Sequence, residues 1–313
     1  MSVRFGNQVS SRTSAVVLTV LLAACGGDSQ NGKREIALAT ATPVVAEPVS
    51  TGPSPETSSP KLTNVTYTDA ETVFRKGQYK EAAELFEVYV EKNPGNGFGQ
   101  YMLGLSAWKS GDFGRAEKAL TRAVDLDSTN VKAQTNLGRV LLEQGRPNDA
   151  LPHIEKAVEL APNKPEVWRV LGNVKAELGM GEEAIQAYRE ALLINDQDAW
   201  SMNNYGLVLI KQGRYEEALM PLARAVQLVP TSPVFQNNLG IAFERSGYLG
   251  GARKAFEAAV DADSTYVKAK TSLERVQSLL GESEGEMVDV TALAQSFVEE
   301  IERWRTPQLN EVH

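Results

Sequence analysis

A chain of 313 residues with 42% hydrophobic and 23% charged side chains has the composition of a water-facing body rather than a membrane-embedded one. Its net charge is −8, and −10 once Arg4 and Arg12 of the first 24 residues are set aside, with no long Lys/Arg run; this excludes a nucleic-acid partner and electrostatic adhesion to anionic lipid. One cysteine and two histidines, His153 and His313, leave no material for a disulfide framework or a thiolate or haem centre, and no phosphate loop or dinucleotide fingerprint is present, so no cofactor, metal or small-molecule substrate is expected.

Arg4 and Arg12 precede the apolar run from Ala15 to Ala24, which is too short to span a bilayer and reads as a targeting segment. Leu22-Ala23-Ala24-Cys25, followed by Gly26-Gly27, resembles the lipobox of bacterial lipoproteins. That resemblance implies cleavage after residue 24 and acylation of Cys25, with several acyl chains giving a stable anchor. Gly26 stands where an aspartate favours inner-membrane retention, so the implied location is the outer membrane with the body in the periplasm. The alternative is an ordinary signal peptide with a coincidental cysteine. Residues 25–61 hold Pro43, Pro48, Pro53, Pro55 and Pro60 and no aromatic side chain, which predicts a disordered tether behind the lipidated end.

From residue 62 to 264 one period dominates. Gly77, Gly111, Gly145, Gly179, Gly213 and Gly247 are spaced 34 residues apart; Ala82, Ala116, Ala150, Ala184, Ala218 and Ala252 follow in register. Gly104, Gly138, Gly172, Gly206 and Gly240 form a third series. Apolar residues recur at three and four on both sides of the first glycine, so each unit is a pair of helices with that glycine as a left-handed cap between them. The glycine inside the first helix is expected to admit a close neighbour, with the alanine of the second helix as the opposing small surface. Pro147 suits a first turn, whereas Pro152 and Pro221 fall inside second helices and predict a bend or a lost hydrogen bond.

Leu103-Gly104, Leu137-Gly138, Leu171-Gly172 and Leu239-Gly240, with Tyr205-Gly206 as a variant, resemble the tetratricopeptide repeat, as do Gly77-Gln78-Tyr79, Gly111-Asp112-Phe113 and Gly213-Arg214-Tyr215 and the closing Pro94, Pro162 and Pro230. The resemblance implies an all-α fold, a right-handed superhelical solenoid of six units at about 63–96, 97–130, 131–164, 165–198, 199–232 and 233–266. The first unit has Asp69-Ala70 in place of Leu-Gly, as suits an N-terminal cap. Residues 266–280 read as a capping helix, 281–288 as a polar hinge, 289–304 as an amphipathic helix and 305–313 as a tail. Three uses are open to the amphipathic helix: packing on the last helices of the solenoid, self-association as a homodimer, or occupying the groove.

The resemblance further implies that first helices line a concave groove that binds an extended peptide or partner helix. Asn136, Asn204 and Asn238 share one register there and Asn203 and Asn237 the preceding one, with Val170 a gap that Asn173 partly fills. Such amides can pair with a guest backbone; they can equally tie adjacent helices together. Arg139, Arg169, Phe98, Trp108 and Trp200 stand at positions that can also face the groove, while Trp168 reads as packed between helices. His153 has no nucleophile to serve, and the pairs Glu182-Glu183 and Glu216-Glu217 sit where helix starts attract carboxylates, so a hydrolase is disfavoured. The expected function is a non-catalytic scaffold binding an envelope protein, as in assembly of a pilus or a cell-wall enzyme complex. A self-assembling structural module is the alternative.

Overall fold

The computed structural model describes residues 64–310 apart from 282 and 284, and side chains to residue 306. The signal segment, Cys25 and the tether to residue 61 lie outside the described residues. Among the described residues the chain is all helix: α1 (Tyr67–Arg75), α2 (Tyr79–Lys92), α3 (Gly97–Lys109), α4 (Phe113–Leu126), α5 (Val131–Glu143), α6 (Pro147–Leu160), α7 (Pro165–Glu177), α8 (Gly181–Ile194), α9 (Ala199–Lys211), α10 (Tyr215–Leu228), α11 (Pro233–Arg245), α12 (Leu249–Ala262), α13 (Val267–Leu280) and α14 (Val290–Asn310).

Helix starts are set by local chemistry. Thr66 and Asp69 close a capping box on α1, and Asn96, Asp112, Asn130, Asp198 and Ser232 each accept a backbone N–H at the head of a first or second helix. The glycines between paired helices all have positive φ, from 71° at Gly145 to 87° at Gly247, a conformation that costs other residues about 1–2 kcal/mol. α6 and α10 run unbroken through Pro152 and Pro221, each proline forgoing one ladder bond without ending its helix.

The glycines inside first helices meet something other than the expected alanine. A Cβ on Gly104, Gly138, Gly172, Gly206 or Gly240 would lie 2.3–2.6 Å from Leu120, Ile154, Tyr188, Leu222 or Phe256, each four residues beyond the alanine of its unit. The helix pair is therefore a small-to-large contact: the absent side chain makes room for a large one from the partner helix, and the fully buried alanine lies one turn away. Gly172→Ala should push a methyl to 2.4 Å from Tyr188 Cε1 and lower stability by about 1–3 kcal/mol, read from the urea midpoint.

First helices of successive units touch one another along the array, whereas second helices join it chiefly through the first helices. The more closely packed row is the inner one, so the first helices lie on the inside of the curve.

α14 does not cap the last helices. It turns back over the hinge and packs on the second helices α10 and α8, leaving the first-helix row uncovered. Ala294, Phe297 and Ile301 are buried there, Trp304 stacks edge-on against Phe297 and Tyr205, and the Arg189 guanidinium sits 4.5 Å from the centre of the Trp304 ring. Tyr205, the variant of the Leu-Gly pair, is explained by this contact, because its longer ring reaches Phe297 at 6.0 Å between centroids. The same cover explains why α10 buries residues nearly all round, Pro221 included, while α6 buries only Ala150, Ile154 and Ala157. The helix continues beyond Trp304 because Arg305 pairs with Asp196 and with Glu302. The hinge is seated on α12, where Gly251 N–H donates to the Glu286 carbonyl and Gly285 lies against the Gly250 backbone.

Candidate functional site

The first-helix row carries a connected strip of side chains. Tyr67 of α1 lies against Phe98 of α3, and Phe98 stacks on Tyr101 with centroids 5.9 Å apart. Phe98 is 54% exposed, a large ring left facing water. The Tyr101 hydroxyl accepts from Asn136 Nδ2 at 3.3 Å, and Asn136 Oδ1 accepts from Arg139 at 3.3 Å. Burial and the nearby Arg169 together push the Arg139 guanidinium down to about 10, still fully charged at neutral pH. Arg169 Nη1 stands 2.6 Å from both oxygens of Asp198, which is 6% exposed and also caps α9 through Ser201.

The asparagines form a second, interior chain. Asn237 Nδ2 donates to Asn238, Asn238 Nδ2 to Asn203 at 2.8 Å, Asn203 Nδ2 to Asn204 at 3.1 Å and Asn204 Nδ2 to Asn173 at 2.9 Å. Tyr188 adds a hydroxyl bond to Asn173 Oδ1 at 2.9 Å, and burial raises its phenol well above the ordinary value. All of these amides are at most 7% exposed, Asn136 included. They thus spend their side chains chiefly on joining α7, α9 and α11, and what they present to a guest is small. The chain is directional, with Asn173 Nδ2 and Asn237 Oδ1, one at each end, lacking a partner among the described residues.

Of the other residues singled out, Trp200 is half-buried and meets Phe235 edge-on at 4.8 Å. Trp108 packs against the N-terminal part of the core, and Trp168 donates its indole N–H to the Pro162 carbonyl at 2.7 Å. His153 Nδ1 lies 2.8 Å from Gln134 Oε1, and burial lowers its pKa. Glu182 and Glu217 are held by Arg214, with Gln212 also on Glu182; two units earlier Arg146 likewise donates to Glu117 across units, while Gln144 Nε2 donates to the Phe113 carbonyl. No group of three or more His, Cys, Asp or Glu converges as for a metal ion among the described residues. Sequence reasoning missed Asp198; its offset of 29 residues from Arg169, nearly one repeat, is the signal that could have found it.

Models described as tetratricopeptide repeat match residues 101–165, 135–200 and 187–220, and one described as TPR repeat matches 206–247. Together these matches run from residue 101 to 247, and over that stretch the chain carries tetratricopeptide repeats. Its repeats are similar in fold to the structure of the anaphase-promoting complex hetero-tetramer Cut9-Hcn1, at 19% identity and a TM-score of 0.59 over 66% of this chain and 41% of that one. They are similar also to Pseudomonas aeruginosa pilF, at 18% identity and 0.53 over 66% and 91%, and to a thermophilic TPR protein of Thermus thermophilus, at 20% and 0.51 over 57% and 98%. No curated protein matches the chain.

Proposed function

We propose that this repeat protein is a non-catalytic scaffold of the bacterial envelope, a right-handed array of six units tethered by a lipid on Cys25, that holds another polypeptide against its first-helix row. The observation that carries the reading is the strip Phe98–Tyr101–Asn136–Arg139, in which an exposed ring, Phe98, leads through the buried Tyr101 and Asn136 to a half-buried charged group across the first helices of two consecutive units. Aromatic rings and arginine are the side chains that most often dominate binding energy. In that array the asparagine chain sets the spacing of the units and so the shape of the groove. The tether and the acidic surface leave attachment to the lipid, and no helix of the described residues is long and apolar enough to cross a membrane.

The self-association reading is disfavoured by one feature: the apolar face of α14 is spent on α8 and α10 of its own chain. Capture is tested by placing a photo-crosslinking residue at 98, 132 or 166 on the first helices and at 118, 122 or 156 on the second helices, in cells carrying the full chain. One partner crosslinking from the first group only is the expected result. Equal crosslinking from both groups, or only from the second, would refute inner-face capture. Loss of envelope fractionation in Cys25→Ser tests the anchor separately.

A further inference from the structure

Two observations meet midway along the first-helix row. Arg139 has no carboxylate at ion-pair distance among the described residues, Glu166 attracting it only from farther off, and its side chain donates instead to the neutral amide of Asn136, whereas the adjacent Arg169 is paired with Asp198. A half-buried guanidinium without a paired carboxylate is costly to keep in a folded chain. The second observation is the buried Asn173 Nδ2, a donor without a partner among the described residues, one helical turn after Arg169 on the same face of α7.

We propose that Arg139, beside Arg169 and backed by the buried amides Asn136 and Asn173, receives the side-chain carboxylate of a glutamate or aspartate inside a partner segment whose apolar residues lie on the exposed Phe98 ring. The proposal rests on the inner-face capture put forward above and names its chemistry. One charge without a paired carboxylate matches one monoanion, and the flat guanidinium fork matches a carboxylate. A phosphate dianion would leave surplus negative charge in a half-buried place. Aromatic surface stands on both sides of the arginines along the array, Phe98 on one side and the half-buried Trp200 on the other, so a segment that uses both passes through and presents an internal side chain rather than its terminus.

The test is fluorescence anisotropy of the full chain with short labelled peptides, acetylated and amidated, carrying phenylalanine and leucine on each side of a central glutamate, glutamine or phosphoserine. A further peptide has the central glutamine and a free C-terminal carboxylate. The glutamate peptide is expected to bind at least about tenfold tighter than the glutamine one, with that preference lost in Arg139→Met and partly kept in Arg139→Lys. Arg139→Met should melt at or above the temperature of the unaltered protein, because an unpaired buried charge has been removed. A lower melting temperature in Arg139→Met assigns the arginine to the fold and overturns the site. Equal binding of glutamate and glutamine peptides, or tighter binding of the phosphoserine or free-terminus peptide, overturns the carboxylate assignment while leaving inner-face capture standing. No binding by any of the peptides overturns both.

Discussion

Replacing Asp198 by alanine is expected to be among the most damaging single changes in the array, costing about 3–5 kcal/mol for the broken buried pair and about 1 kcal/mol more for the lost cap of α9. Asp198 is 6% exposed and holds Arg169 with both carboxylate oxygens while accepting from Ser201. Without it, Arg169 loses its paired carboxylate and repels Arg139 more strongly, in a setting where burial already disfavours the charge on Arg139 and Glu166 attracts it only from farther off. The loss should concentrate at the α7–α9 junction, because each unit of a repeat array contacts chiefly its neighbours. Hydrogen exchange resolves it: amides of α7, α8 and α9 should lose protection well before those of α3 and α4. The double variant Arg169→Met with Asp198→Asn should recover most of the stability, since removing both charges leaves neither member of the pair buried and alone. A double variant as unstable as Asp198→Ala would show that the cap and packing, not the charge, were responsible.

Phe297→Ala is expected to release α14 at a cost of about 3–5 kcal/mol, the range for emptying a fully buried phenylalanine site. Phe297 has no exposed surface and joins Tyr205, Ile301 and Trp304 into one cluster on α8 and α10. Its removal opens a cavity where α14 is held, so the expected phenotype is local: protease cleavage in the hinge near residues 281–288 and new exposure of Pro221 and Met220 on α10. Trp304→Ala should cost less, because that ring is half-buried and its contact with Arg189 adds only about 0.5–1 kcal/mol. If the hinge stays resistant to protease in Phe297→Ala, α14 is held chiefly by the Arg305–Asp196 pair and the hinge contacts on Gly250 and Gly251.

The helix pairs were legible in the residues because each of their signals is local. A glycine that needs positive φ, a short polar side chain that caps the next turn, and an apolar stripe at three and four act within a few residues, and a period of 34 repeats them. The positions of the candidate site were legible for the same reason: register along a first helix says which face a side chain occupies, and it brought Arg139, Arg169 and the asparagines onto one row.

What each of those side chains does there was not legible, since it depends on partners one repeat away. Asn204 bonds to Asn173 across 31 residues, Asn238 to Asn203 across 35, and Arg169 to Asp198 across 29, so whether an amide meets a guest or its neighbour is settled by how closely the units stack. The same holds for the small glycine, whose opposing surface is the large side chain four residues beyond the alanine. It holds most for α14: its amphipathic pattern announced a face to be buried, but many surfaces could bury it. The choice of α8 and α10 goes with Tyr205 reaching Phe297 and with Asp196 and Arg189 placed to meet the distal end. Periodicity specifies local geometry because backbone and cap energies act over one or two turns. Packing partners are chosen by long-range fit, which no window of sequence contains.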